Sequence, residues 1–237
     1  MEFDGVFQEA EIFVNGKPAG NHVGGYTGFY IDISPLVQAR DNMLAVRVNN
    51  NWKSNVAPRA GEHVFSGGIY RNVRLVLKSP VHIDWYGTFV TTPDLGKNQG
   101  KFSSVKVETD VCNTSKKEGT YRLLTQIISP DGKVITSVET KETIAAGSSR
   151  KFSQITRTLN NPQLWSLSAP VLYKVISKLY QGKQFIDEDE TAFGFRWFEW
   201  TADRGFFLNG EHLYFKGANV HQDQAGWGDA VTEAAMY

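Results

Sequence analysis

The residues best suited to chemistry lie in the stretch 216–223, whose sequence is KGANVHQD. It begins after an apolar run and ends in polar side chains, among them Asn219, His221 and Asp223. A neutral imidazole at the end of a strand can hydrogen-bond a hydroxyl group and can stabilise a positive charge that develops nearby. Asp223 could orient His221 or bind a hydroxyl, and Asn219 could hold the backbone at the strand end. The alternatives are ordinary roles, namely a surface or capping His and an N-cap or turn Asp.

A strand before this stretch and a helix after it would have to position these side chains. Two short apolar runs, 206–208 and 213–215, flank an Asn-Gly pair at 209–210. This pair is typical of tight hairpins, because both turn residues adopt positive φ. Residues 230–237 indicate the first turns of a helix. A strand, a polar loop and a helix start together predict one βα unit.

The first block of the chain, residues 1–79, has the alternating apolar pattern of β-strands. We expect about five strands, including 10–14, 26–33, 43–49 and 69–77. The last two are separated by a loop at 50–67, and loops of this length are usually functional or disordered.

The second block, residues 80–193, predicts an immunoglobulin-like β-sandwich, because short strands alternate there with turn signals. The expected strands lie near 81–92, 102–113, 120–129, 133–144, 150–160, 170–181 and 184–193. Since Cys112 is the only cysteine, the antibody-type disulfide is excluded.

Composition excludes several classes of function. The chain of 237 residues has a formal net charge of +0, which argues against nucleic-acid partners and against an anionic membrane surface. Its hydrophobic content of 41% suffices for a packed core, and no run is long and apolar enough to span a bilayer. The acidic run at 187–190 lacks the spacing of a calcium loop. We therefore expect no cofactor and no metal site in this chain.

Several motifs resemble glycoside hydrolase family 2, the β-galactosidase and β-glucuronidase group. The motifs that resemble the entry to its catalytic barrel are FGFRWFEW at 193–200, LNG at 208–210, KG at 216–217, Asn219 and His221. Those that resemble its other domains are FVNGK at 13–17, GGY at 24–26, GGIYRNV at 67–73 and NPQLWS at 161–166. The chain departs from the family at Val220, where Arg is common, and at Asn72, where Asp is frequent.

This resemblance implies three domains in a mainly β chain. Residues 1–79 would be part of a jelly-roll sugar-binding domain, which has roughly eight strands when complete. Residues 80–193 would be the immunoglobulin-like sandwich, and residues 194–237 the first strand and βα unit of a (β/α)8 TIM barrel. We expect Met1 to be an internal residue and the chain to be cut at both ends. The two catalytic Glu residues would then lie beyond residue 237, so no catalytic residue is assigned here.

The resemblance also implies substrate-binding residues. His221 matches the family's barrel-strand His, which lines the sugar subsite. Glu62 matches a loop carboxylate that reaches the active site in β-galactosidases, although a solvated loop carboxylate is the alternative. Trp52 and Arg59 in the same loop could stack on or clamp a glycan, or Trp52 could pack down as a lid on the core.

The predicted function is that of a fragment of a retaining β-glycosidase that hydrolyses terminal β-galactosides of glycans. Its partner would be a glycan with a terminal β-linked sugar, and self-assembly into a homo-oligomer is left open, as is the compartment. One alternative is a non-catalytic carbohydrate-binding or adhesion protein built from two β-sandwiches. Another is the same family acting on β-glucuronides or β-mannosides. The fragment itself is expected to be inactive and to expose apolar surface at 206–215.

Overall fold

The computed structural model describes residues 1–57, 67–221 and 223–236. The chain divides into two compact units. Unit 1 comprises Met1–Leu77 together with Gly217–Tyr237, and unit 2 comprises Lys78–Lys216.

Unit 1 is built from short antiparallel strands in three sheets, whose orders are β5-β1-β8, β2-β7 and β4-β3-β6. The strands described there are β1 (Glu2–Phe3), β2 (Val6–Phe7), β3 (Glu9–Val14), β4 (Lys17–Val23), β5 (Phe29–Tyr30), β6 (Leu44–Asn49), β7 (Gly68–Ile69) and β8 (Val73–Arg74). Alternate residues of β3, including Ala10 and Ile12, are buried against Phe3, Val6 and Phe29. The two faces of this core come from different sheets, as in a β-sandwich.

Two strands predicted in unit 1 are shorter than the sequence pattern indicates. Only residues 29–30 of the expected strand 26–33 are paired, and the expected strand 69–77 is divided into β7 and β8. The reason lies in the partner strands. Since β7 pairs with β2 and β8 pairs with β1, the break at 70–72 follows the break between those two partners.

The Asn-Gly turn at 15–16 is confirmed as the link between β3 and β4. Asn15 and Gly16 have φ values of 53° and 76°, as a tight hairpin requires. The Asn15 side chain also accepts a hydrogen bond of 2.9 Å from the Met43 main-chain N–H and donates one of 3.0 Å to the Leu36 carbonyl. This turn therefore also fixes the chain that enters β6.

Unit 2 confirms the predicted immunoglobulin-like sandwich of a three-stranded and a four-stranded sheet, with orders β14-β11-β9 and β13-β12-β16-β17. Its strands are β9 (Val81–Thr91), β10 (Phe102–Ser103), β11 (Lys106–Asn113), β12 (Gly119–Ile128), β13 (Val134–Ile144), β14 (Ser148–Ile155), β15 (Leu159–Asn160), β16 (Tyr173–Gln181) and β17 (Gln184–Phe193). The short strands β10 and β15 pair with each other.

The core of unit 2 lies between these sheets in two adjoining clusters. In one, Ile83 and Phe152 of the smaller sheet pack with Leu123 and Leu179 of the larger sheet. In the other, Phe195 is fully buried beside Tyr173, with ring centroids 4.8 Å apart in an edge-to-face arrangement. Phe193 and Phe195 of the FGFR motif are therefore part of the sandwich core.

The acidic run at 187–190 is used for strand packing, since alternate residues point to opposite faces. Asp187 accepts hydrogen bonds of 2.9 Å from the Ile83 main-chain N–H and from Lys78, and Asp189 accepts one of 2.7 Å from Thr88. The two Glu residues between and after them form ion pairs with lysines of β16. Within the described part of the chain, no group of three or more His, Cys, Asp or Glu side chains is placed to hold a metal ion.

A second three-stranded sheet follows the sandwich, formed by β18 (Phe198–Thr201), β19 (Gly205–Leu208) and β20 (Glu211–His212). The predicted hairpin turn is confirmed, because Asn209 and Gly210 join β19 to β20 with φ values of 53° and 82°. The Asn209 amide donates a hydrogen bond of 2.9 Å to the Trp165 carbonyl. This bond ties the turn to the motif NPQLWS at 161–166.

The structure corrects the expectation of a strand after this hairpin. Residues 213–221 form no strand, although the sequence pattern predicts the first barrel strand there. A strand needs a neighbouring strand as its main-chain partner. Apart from the hydrogen bond of 2.9 Å from the Leu213 N–H to the Phe206 carbonyl, this segment has no ladder with any described strand. The helix start is formed as α1 (Glu233–Met236). The barrel entry therefore stays a prediction. No helix in the described part of the chain has the length and apolarity needed to cross a membrane.

Cys112 lies on the outer face of β11, half-buried, where its sulfur accepts a hydrogen bond of 3.2 Å from Ser149. Burial raises the pKa of the Cys112 thiol.

An aromatic face is exposed on the sheet formed by β18–β20. It consists of Phe198, Trp200, Phe206 and Phe215, and the Trp200 and Phe215 rings each lie within 4.7 Å of the Phe206 ring, centroid to centroid. Trp200 is 65% exposed and Phe215 is 66% exposed. This agrees with the expectation that apolar surface is exposed near 206–215. Contiguous aromatic surface of this kind promotes association.

The turn between β12 and β13 contains a carboxyl group, that of Asp131, whose pKa is strongly lowered. The Lys133 ammonium lies 2.6 Å from the Asp131 carboxylate, and Ser129 also hydrogen-bonds this carboxylate. These partners, Lys133 first, lower the pKa of Asp131 to about 2. Because the folded state favours the ionised carboxylate, its contribution to stability is present above about pH 4 and is lost as the pH falls towards 2.

We predict that Lys133→Ala raises the pKa of Asp131 towards its ordinary value of about 3.9. A carboxyl carbon NMR titration of the folded chain measures this directly. Lys183→Ala, in a turn elsewhere in unit 2, should leave the titration unchanged. An Asp131 pKa near 3.9 in the unmodified chain would contradict the prediction.

We predict that the isolated chain associates in solution through the aromatic face. Trp200→Ser combined with Phe215→Ser should shift it towards monomer, because each substitution removes exposed apolar area from the contact. Sedimentation velocity over a range of protein concentrations measures this shift. Tyr86→Ser, which removes an exposed aromatic ring elsewhere in unit 2, is the matched control. A chain that is monomeric before any substitution would refute this expectation.

Candidate functional site

The candidate site residues of the C-terminal segment lie in unit 1, on irregular chain exposed to solvent. The structure brings His221 and Asp223 together, with 3.7 Å between the imidazole Nδ1 and the carboxylate Oδ1. This distance is too long for a direct hydrogen bond, so the two groups attract each other mainly when the imidazole is protonated. Their side chains are 57% and 36% exposed. Asn219 is exposed in the same segment.

The loop at 50–67 is described only at its two ends. Glu62 and Arg59, with their predicted roles in sugar binding, lie outside the described residues. Trp52 lies at the beginning of the loop and is 66% exposed, so it does not cover the core as a lid would.

The first residues of this loop are fastened to β3 and to the residue before it. The buried Gln8 side chain donates a hydrogen bond of 2.6 Å to the Asn51 carbonyl. The Lys53 ammonium lies 2.6 Å from the Glu9 carboxylate, and its hydrogen bond lowers the pKa of Glu9. The beginning of the loop is therefore held in place by polar contacts on both sides of Trp52.

One glycine of each Gly-Gly pair of unit 1, Gly25 and Gly67, is packed closely against a neighbouring side chain. The Tyr70 hydroxyl donates a hydrogen bond of 2.6 Å to the Gly25 carbonyl, so the motif GGIYRNV contacts the motif GGY. A Cβ atom at Gly25 would lie 2.2 Å from the Phe7 ring, and one at Gly67 would lie 2.4 Å from the Asn50 amide. A larger residue fits neither position without movement of its neighbour. Burial raises the pKa of the Tyr70 hydroxyl, which therefore stays protonated.

A tight turn follows Asp223 and limits where the site segment can go. The main chains of Gln224 and Gly228 exchange two hydrogen bonds, of 3.0 and 2.9 Å. Gly226 and Gly228 have φ values of 87° and 55°, a conformation that glycine adopts without strain. The residues just before and just after this turn are therefore held near each other.

Arg71 contacts the segment directly after this turn. Its guanidinium donates a hydrogen bond of 2.8 Å to the Asp229 carbonyl and one of 3.3 Å to the Val231 carbonyl. Arg71 lies within the motif GGIYRNV, which by itself predicts no role for this residue. The signal that could have indicated one is a cation directly after a tyrosine and close to a Gly-Gly pair, since guanidinium groups are well suited to bind several acceptors at once.

Two protein-family models match this chain in succession, over residues 1–196. A family model described as "Glycosyl hydrolases family 2, sugar binding domain" matches residues 1–80, and one described as "Glycosyl hydrolases family 2" matches residues 81–196.

Curated relatives and solved structures agree with these matches. A β-galactosidase of Bacteroides ovatus is 32% identical over 238 residues, which covers 100% of this chain and 27% of that protein. A β-glucuronidase of Bacteroides fragilis is 31% identical over 238 residues, which covers 98% of this chain and 33% of that protein. The crystal structure of a Bacteroides uniformis β-glucuronidase matches with a TM-score of 0.91 and 32% identity, covering 98% of this chain and 28% of that one.

The chain thus spans only 27% to 33% of the length of these relatives. Two family models in succession, the relatives and the shared fold all agree on the family that the sequence motifs resemble. The chain belongs to glycosyl hydrolases family 2.

Proposed function

We propose that this chain is part of a retaining β-glycosidase that hydrolyses terminal β-galactosides of glycans. The observation that carries the proposal is the match of both family models in succession, over residues 1–80 and 81–196. The relative from Bacteroides ovatus, which aligns with the whole chain, is named a β-galactosidase.

Hydrolysis with retention needs two carboxyl groups about 5 Å apart, one to protonate the leaving oxygen and one to attack the anomeric carbon. We assign both to Glu residues of the catalytic barrel outside residues 1–237, as the family resemblance implies. In this proposal the present chain binds and orients the sugar and does not attack it.

His221 is the residue to which we assign the sugar contact. Its imidazole can accept or donate a hydrogen bond to a sugar hydroxyl, and the Asp223 carboxylate lies 3.7 Å away on the same segment. A neutral imidazole there would also stabilise the positive charge that develops on the sugar in the oxocarbenium-like transition state. Asn219 on the same segment and Glu62 in the loop at 50–67 are proposed as further contacts to hydroxyl groups.

The second candidate function is hydrolysis of β-glucuronides. It is favoured by the names of two of the proteins that this chain resembles, those of Bacteroides fragilis and Bacteroides uniformis. A uronate carries a carboxylate, so its subsite needs a cationic group that a galactose subsite does not need. A β-glucuronidase is therefore distinguished from a β-galactosidase by the charge of the substrate that it cleaves. A β-mannosidase is distinguished by the stereochemistry of the sugar.

Hydrolysis of a panel of aryl β-glycosides tests the proposal, with this chain and with the natural gene product extended past Tyr237. We expect the extended protein to cleave the galactoside and this chain to cleave nothing. Preferred cleavage of the glucuronide or the mannoside would replace the proposed substrate. If the extended protein cleaves no glycoside in the panel, the enzyme proposal fails and a non-catalytic carbohydrate-binding role replaces it.

We predict that His221→Ala in the extended protein lowers kcat/KM by about 100-fold, the usual cost of one hydrogen bond aimed at the transition state. Asp223→Asn should cost less, because it removes a charge near the imidazole and leaves the ring in place. His82→Ala, a histidine of unit 2, is the control and should leave kcat/KM unchanged. Equal kinetics for His221→Ala and the control would remove His221 from the site.

A further inference from the structure

We propose that Arg71 is a positioning residue that holds the segment carrying His221 and Asp223 in its place. The sugar-contacting role of this segment rests on the proposed function, whereas the mechanical role of Arg71 rests on geometry within unit 1 alone.

Arg71 stands on a rigid part of the β-sandwich. The residue before it, Tyr70, donates its main-chain N–H to the Gly5 carbonyl at 3.2 Å and its hydroxyl to the Gly25 carbonyl at 2.6 Å. The residue after it, Asn72, accepts a hydrogen bond of 3.0 Å from the Asp4 main-chain N–H. The guanidinium also lies over the Tyr70 ring, 5.2 Å from the ring centroid, where a cation is attracted by the ring face.

The guanidinium binds main chain that has no strand partner. It reaches the carbonyls of Asp229 and Val231, at 2.8 and 3.3 Å, directly before α1. Hydrogen bonds from a charged donor are stronger than those between neutral groups. Both hydrogen bonds come from one nitrogen, Nη1, and the planar guanidinium that carries it is held over the Tyr70 ring. A lysine ammonium can donate to the same carbonyls, but on a flexible stem without this planar contact, so it replaces the arginine only in part. We call these two hydrogen bonds, from Arg71 to the Asp229 and Val231 carbonyls, the clamp. Asp229 is 2% exposed, so the clamp acts at a buried point of the segment.

The turn at 224–228 transmits this restraint to the candidate site. Gly228 precedes the clamped Asp229, and its main chain is doubly bonded to Gln224. The Trp227 N–H also donates to the Gln224 carbonyl at 3.0 Å, and the Ala230 N–H donates to the Trp227 carbonyl at 3.1 Å. Fixing residue 229 therefore fixes Gln224, which directly follows Asp223. If the clamp is lost, Gln224 and Gly228, which are bonded to each other, are expected to become mobile together.

In this arrangement the motif GGIYRNV helps to position the site residues, although the motif itself does not line the site. The tyrosine of the motif fastens it to the sandwich, and the arginine fastens the site segment to the motif. Arg71 and Asp229 are 158 positions apart in the sequence, so the contact joins two distant parts of the chain.

Amide hydrogen exchange of this chain tests the clamp. In Arg71→Ala we expect the amides of Gln224, Trp227, Gly228 and Ala230 to exchange about tenfold faster or more, because they open once the charged hydrogen bonds are lost. Arg71→Lys should recover part of the protection. Arg47→Ala, which removes an exposed arginine of β6, is the matched control and should leave these amides unchanged.

Arg71→Met separates loss of the two hydrogen bonds from a general loss of the fold, because methionine keeps an aliphatic stem that can pack along Tyr70. Its β3 amides should exchange at the original rate while the turn amides exchange faster. Unchanged turn amides in Arg71→Met and Arg71→Ala would overturn the proposal, as would equal acceleration in Arg47→Ala.

Kinetics of the extended protein test the link to the sugar site. We expect Arg71→Met to lower kcat/KM for the cleaved glycoside about tenfold, since a displaced contact residue loses its alignment, and Arg71→Lys to recover part of it. An unchanged kcat/KM with accelerated turn exchange would overturn the positioning role. If the extended protein is inactive before substitution, the proposed function fails and hydrogen exchange still decides the clamp.

Discussion

Main-chain hydrogen bonding is the constraint on which the structure of this chain depends. A buried N–H or C=O group without a partner is costly, so a strand persists only where a neighbouring strand supplies those partners. All the pairings between named strands are antiparallel, and in β11 to β17 the long ladders run over eight or more residues. Burial of the alternate side chains between the two sheets then follows from the pleat of these ladders.

Where no neighbouring strand is present, side chains supply the hydrogen-bond partners of main-chain groups. The Asn15 and Asn209 side chains bind main-chain groups beside their own turns, and the Gln8 side chain binds a carbonyl at the start of the long loop. Arg71 does so over the greatest sequence distance and with the only charged donor among these four. The irregular parts of the chain are thus ordered by a few polar side chains, each of which stands in a tight turn or in a short link between two strands.

This difference explains how much of the fold could be predicted from sequence. The strands of residues 80–193 follow the apolar alternation closely, because each has a partner within the same block. The same alternation overestimates the length of the strand at 26–33, because its partner β1 is only two residues long. It also predicts a strand at 213–221, where the structure has none. A local pattern records which face of a segment is apolar. It does not record whether another segment lies beside it.

The candidate site was predictable to the same extent. His221 and Asp223 stand out by residue type and by family motif, and the structure places them 3.7 Å apart. Arg71 does not stand out, because its partners are main-chain carbonyls, which leave no trace in residue types. Glu62 keeps the role that its motif implies, as a prediction.

The half-buried thiol of Cys112 has a consequence for the chemistry of the molecule. Only the thiolate attacks disulfides and oxidants, and burial of this group raises its pKa, so little thiolate is present at neutral pH. The hydrogen bond from Ser149 also occupies the sulfur atom. The chain therefore resists oxidative cross-linking between copies, and its fold should be the same in reducing and in oxidising surroundings.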